Sequence, residues 1–206
     1  MHGREKIINA AYWLGLTIWV AALASGGVAA IGVFTTLPAM GLRISEFEPH
    51  LGDDTREHGR LAGGKVMEPI FTATDYVQCA TATITCIALA LILMMNRRAA
   101  KRPANLVRTT CIGIAAALLV YHMIDLAPGM NRELRAYWSA ARQVDHDAAK
   151  EHKASFDANH PTADALYKAR LMLLLIAVAA SGAACVSEAK RTLTSPLQTP
   201  ELAKLK

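Results

Sequence analysis

Four apolar runs constrain this chain more than any other feature. No charged residue interrupts Ile7–Leu42, Tyr76–Asn96, Thr109–Ile124 or Leu171–Ser187. An uncharged run of about 20 residues crosses a bilayer core as a helix, and one of about 17 does so with help from its flanks. The first two runs qualify on their own. The third draws in His122 and Asp125 at its edge, and the fourth needs Lys168 and Arg170 to snorkel toward water. A soluble protein would bury such helices, but 206 residues leave too little other material to cover four of them. The expected fold is all-α, an integral membrane four-helix up-and-down bundle with spans at about 8–37, 71–96, 106–128 and 166–188. The spans form one domain over 1–190, followed by a loose tail over 191–206 that carries Pro196 and Pro200.

The net charge of +5 is placed in a way that argues against nucleic acid. Arg4 and Lys6 precede the first span, and Arg97, Arg98, Lys101, Arg102 and Arg108 fill the second connection with no acid between them. Lys190, Arg191, Lys204 and Lys206 follow the fourth. The other two connections mix acids with bases. This is the positive-inside pattern, which puts both termini and the 97–108 loop on the cytoplasmic side of what reads as a bacterial inner membrane. Ala22-Leu-Ala24 imitates a signal cleavage site, but the apolar run continues to Leu42, so a retained anchor is expected. The four cysteines, Cys79, Cys86, Cys111 and Cys185, all fall within spans, which implies small packing residues and no disulfide framework.

Within the first span, Ala22, Gly26 and Ala30 recur every four residues, a face that lets another helix approach closely. Pro38 and Gly41 mark its far end. A short amphipathic helix is expected over Thr55–Met67, with a new helix entering the membrane after Pro69. The hydroxyls of Thr72, Thr74, Thr81, Thr83 and Thr85 can bond back to their own helix. Beyond Pro128, Leu134, Tyr137, Trp138, Ala141 and Val144 fall at helical spacing. Asn159-His160-Pro161 reads as a turn, so an extramembrane helical hairpin is expected over about 130–165.

Chemistry concentrates at the outer end of the third span. His122 and Asp125 are three residues apart and so can share a helix face. Met123 and Met130 are near in sequence, and Asp75 lies at a similar depth on the second helix. Histidine and methionine suit a copper-like ion, while a histidine–carboxylate pair is also a proton-relay arrangement. Interfacial structural roles for the same groups remain open. Haem between paired histidines is disfavoured, because His122 is the only histidine inside a span and no covalent attachment sequence is present. His146, His152 and His160 are spaced by six and eight, which does not stack them on one face. No nucleophile elbow, phosphate loop or zinc-protease motif is present, which points away from an enzyme.

Trp13-Leu14-Gly15, Pro38, Gly63-Gly64, Pro128-x-Met130 and Phe156 followed by His160 resemble the transmembrane-protein-205-like family of four-span proteins, over roughly residues 12–186. That architecture is distantly similar to copper-resistance D-type membrane proteins. The resemblance implies metal handling and adds Pro128, Met130 and His160 as outer-face residues. The chain departs from the pattern at Ala39-Met40-Gly41, where no aromatic follows Pro38, and in its longer charged hairpin. The functional expectation is a non-enzymatic membrane protein handling a metal or passing protons at His122, Asp125, Met130, Asp75 and His160. The alternatives are an accessory subunit of a larger membrane complex, or a homo-oligomer, and a haem electron carrier.

Overall fold

Long apolar runs favour a backbone that bonds to itself, and the chain folds almost wholly into long helices. The computed structural model describes residues 2–194, with the backbone alone for residues 2, 98, 99 and 187–194. Helix α1 spans His2–Ala39 and ends where Gly41, at φ 64°, turns the chain out of the helix. A 3₁₀ turn, Ser45–Phe47, and the short α2, Glu48–Leu51, lead to α3, Thr55–Met95. The Asp54 side chain caps α3 by accepting from the amides of Arg56 and Glu57, both at 3.1 Å. After α4, Arg97–Ala100, helix α5 runs over Pro103–Tyr121. A π-helical turn, His122–Leu126, then passes into α6, Ala127–Arg142. The chain reverses at residues 143–145, where Val144 takes φ 61°, and α7 runs over His146–Thr194.

Four of these rods, counting α5 to α6 as one, are long and apolar enough to cross a membrane. Helix α1 pairs with α3 and the α5–α6 rod with α7, and the two pairs meet by α1 against α7 and α3 against α5. The bundle therefore has a basic end, at the 97–108 connection, and a hairpin end, where α6 packs on the first half of α7. Side chains pack in two apolar clusters. One, nearer the basic end, gathers Tyr12, Leu16, Trp19, Leu23, Ile112 and Leu174. The other, at the hairpin end, gathers Phe47, Leu61, Tyr137, Trp138, Ala141 and Ala149.

Two expected boundaries are corrected. Helix α3 begins at Thr55 as read, yet continues unbroken through Pro69, and α7 continues unbroken through Pro161. A proline inside a helix removes one hydrogen bond and costs about 3 kcal/mol, a loss that packing of the whole rod can offset. At Pro161 the helix is exposed, so water can reach the carbonyl that loses its donor. The hairpin turn lies at 143–145 and not at Asn159-His160-Pro161. The expected loose tail lies outside the described residues from 195 onward, while α7 extends into its first residues, 191–194.

Glycines set the α1–α3 seam. A Cβ on Gly59 would sit 2.5 Å from the Pro38 Cα, and one on Gly63 would sit 2.8 Å from the Phe34 ring. Gly15 approaches Thr85 in the same way at the basic end. Gly63-Gly64 thus serves contact, at Phe34 and Trp138, within a helix it does not interrupt. Gly26-Gly27 makes no break in α1 either. The threonine hydroxyls behave as the sequence suggests: Thr72, Thr81, Thr83 and Thr85 bond to carbonyls four residues back.

The first connection is fastened by His58, which has no exposed surface. Its Nδ1 accepts from the Ile44 amide at 3.2 Å, so its Nε2–H donates to the Gly52 carbonyl at 3.1 Å. His58→Leu frees both backbone groups. The expected cost is about 1–3 kcal/mol, measured as a lower unfolding midpoint of the purified protein. An unchanged midpoint would mean that the loop is held elsewhere. Lys65 reinforces it by pairing with Glu46 and covering the Phe47 ring. Across the hairpin, Glu133 accepts from His152 at 2.8 Å, a bond that holds its carboxyl below the usual carboxylate range. Arg135 pairs with Glu68 of α3.

Candidate functional site

Between the two apolar clusters lies a layer of polar side chains joined end to end. His122, the first residue of the π-turn, bonds through Nε2 to Asp75 Oδ2 at 3.1 Å, with the two side chains only 16% and 15% exposed. The other carboxylate oxygen accepts from Gln78 Nε2 at 3.2 Å, and Gln78 Oε1 accepts from Arg170 Nη1 at 3.3 Å. A carboxylate only accepts and a guanidinium only donates, so the Gln78 amide has one satisfied orientation. Three helical rods, α3, α5–α6 and α7, are thereby tied. Tyr167, one turn before Arg170, adds the fourth by setting its hydroxyl against Gly27 of α1, where a Cβ would come within 2.9 Å. That contact explains the Gly26-Gly27 pair.

Arg170 does not snorkel. It is 1% exposed, and its charge is drawn to Asp75. The side chain turns inward because Gln78 accepts from its guanidinium and Asp75 lies beyond. Lys168, by contrast, points outward and pairs with Asp164.

The π-turn decides which expected residues join the layer. Pro128 has no N–H for the Ile124 carbonyl, and the Ala127 amide bonds back to the His122 carbonyl, five residues away. The widened turn advances side chains by a different angle from an α-helix, so residues three apart no longer share a face. His122 faces Asp75, while Asp125 is exposed. Met130 is buried in α6, and His160 is exposed with its ring 5.5 Å from Phe156. Of the five residues expected to act together, the structure joins His122 and Asp75. Among the described residues, no three of the His, Cys, Asp and Glu side chains gather closely enough to hold a metal ion.

Against protein-family models, curated proteins and solved structures, nothing matches. The reading rests on geometry. Because the carboxylate of Asp75 can only accept, His122 presents Nε2–H to it and turns Nδ1 the other way. Nδ1 is buried and has no partner. Arg170 Nε is likewise buried without one. In this tautomer the Nδ1 lone pair is left without a donor. Gln78, Arg170 and Tyr167 were the residues missed by sequence reading. A glutamine three residues after an aspartate at the edge of an apolar run, and an arginine three after a tyrosine, were the available signals.

Proposed function

We propose that the chain is a non-enzymatic integral membrane protein that exchanges protons through the polar layer closed by His122 and Asp75. Its surface supports the membrane part. Only 22–33% of the most apolar stretch of each long helix is buried, and Leu14, Val28, Ile31, Ile87, Ile124 and Met172 face outward. In water that much bare apolar surface would aggregate, and in lipid it is solvated. The basic end then faces the cytoplasm, with both termini there, by the placement of lysine and arginine.

The single observation that carries the proton reading is the largely buried His122–Asp75 pair, in which the carboxylate on Nε2 would balance the charge of an imidazolium. Copper handling, which the resemblance to four-span metal-tolerance proteins implies, is less well supported. Among the described residues no three ligating side chains gather around His122, and the Arg170 charge opposes a cation there. Haem would require His122 to give up Asp75. The test uses the full chain in liposomes carrying an internal pH dye, with a pH gradient imposed. Wild type should conduct, and His122→Gln, which keeps a donor but accepts no proton at this pH, should slow the flux about a hundredfold. Equal flux in the two proteins, or wild-type flux no greater than that of empty liposomes, sinks the reading.

A second reading, an accessory subunit, draws on the hairpin-side half of α1. There Val28 and Ile31 are 71% and 69% exposed, an apolar surface open to a partner helix. Stoichiometric co-purification of a larger complex from native membranes would support it, and recovery of the chain alone would count against it.

A further inference from the structure

The first connection and the hairpin turn meet at a pair of imidazoles. His50, near the end of α2, stacks on His146, the first residue of α7, with ring centroids 4.9 Å apart and planes 21° from parallel. The edge of the assembly is closed by Tyr137 of α6, 6.3 Å from His50 at 70°. Stacked rings direct their in-plane lone pairs side by side and not toward a common point, so the pair is not shaped to chelate. His50 Nδ1 is buried and has no hydrogen-bond partner. We infer that this stack is an acid-released clasp, closed while His50 is neutral and opened when it takes a proton, freeing α2 from the hairpin turn.

Each feature of the site favours neutral rings. Protonation at Nδ1 of His50 would create a buried N–H without an acceptor. A second proton would set two like charges within 5 Å of each other, at about the separation of the ring centres. Burial first, and His146 second, hold His50 below its ordinary value.

The charged groups around the pair are otherwise occupied. Glu48 of α2 and Asp53 pair with Arg43, and Glu46 pairs with Lys65 and senses Arg142 of α6. Asp145 spends a carboxylate oxygen on the Ala148 amide, while Asp147 follows His146 along the exposed start of α7. Burial pushes the Tyr137 hydroxyl up to about 12, so that group stays neutral throughout.

The sign follows from the depressed value of His50. Its contribution to the closed form is fully present above the ordinary histidine value of 6.5 and is lost as pH falls from there through the lower value of the closed form.

Hydrogen exchange on the full chain in detergent micelles tests this. After correction for intrinsic rates, amides of 48–52 and 143–149 should exchange about tenfold faster at pH 5.5 than at pH 7.5. The rest of the bundle should change little. His50→Phe keeps a ring to stack and cannot titrate, so it should hold both segments closed at both pH values. His58, the other titratable ring of the connection, is the competing source of any response. Acid-driven opening that persists in His50→Phe would assign the effect to His58 and overturn the clasp. A wild type with no pH dependence would overturn it too. Global unfolding of the variant, read from circular dichroism, is met by repeating the comparison with His50→Tyr, which also keeps a ring and carries no imidazole.

Discussion

Gly59→Ala should destabilise the protein by about 1–3 kcal/mol, more than its single added methyl group would suggest. In an open helix the same change is worth about 1 kcal/mol of stabilisation, since alanine has the better helix propensity. Here the new Cβ would meet the Pro38 Cα at 2.5 Å, the Leu37 carbonyl oxygen at 2.6 Å and the Pro38 nitrogen at 2.6 Å. All three are backbone atoms, so no rotamer change relieves the clash. Helices α1 and α3 must part at the hairpin end, and the neighbouring Gly63–Phe34 contact is lost with them. Gly32→Ala is the control, because nothing lies within 4 Å of the position where its Cβ would be built. It should be neutral or slightly stabilising. Unfolding midpoints of the two variants in mixed micelles make the comparison. Equal midpoints would mean that α1 and α3 do not pack along this seam.

That seam shows why part of the fold could be read in the sequence and part could not. The length of an apolar run specifies a spanning helix whatever its neighbours, so the four long rods and their alternation were legible. Register between helices was not. Gly63-Gly64 weakens a helix considered alone, and only the presence of Phe34 and Trp138 opposite turns it into a contact. Pro69 and Pro161 read as boundaries for the same reason, since the packing that carries a rod past a proline is not local.

The site divided along similar lines. Asp75 and His122 were legible as ionisable groups at matching depth. Asp125 was placed with them by α-helical spacing, which the π-turn at His122–Leu126 removes. Arg170 looked like a flank residue reaching for water, because the partner that draws it inward, Gln78, lies 92 residues away in sequence.

The second large effect is expected at Asp75, and it comes with a test of cause. Asp75→Asn leaves Arg170, 1% exposed, without the carboxylate that attracts it, and an uncompensated buried charge costs about 3–5 kcal/mol. The amide also offers one oxygen where the carboxylate offered two. Either His122 Nε2 or Gln78 Nε2 then faces an N–H instead of an acceptor. Arg170→Met alone should also destabilise, by leaving Gln78 Oε1 unbonded and Asp75 without the nearby positive charge. Combining the two removes both charges together. The double variant should therefore lose less than the sum of the single losses, with a coupling of about 0.5–3 kcal/mol. Additive losses would mean that Asp75 and Arg170 do not sense each other across Gln78. The polar layer would then be two separate contacts, His122 with Asp75 and Gln78 with Arg170, and the proton site would have no electrostatic link to α7.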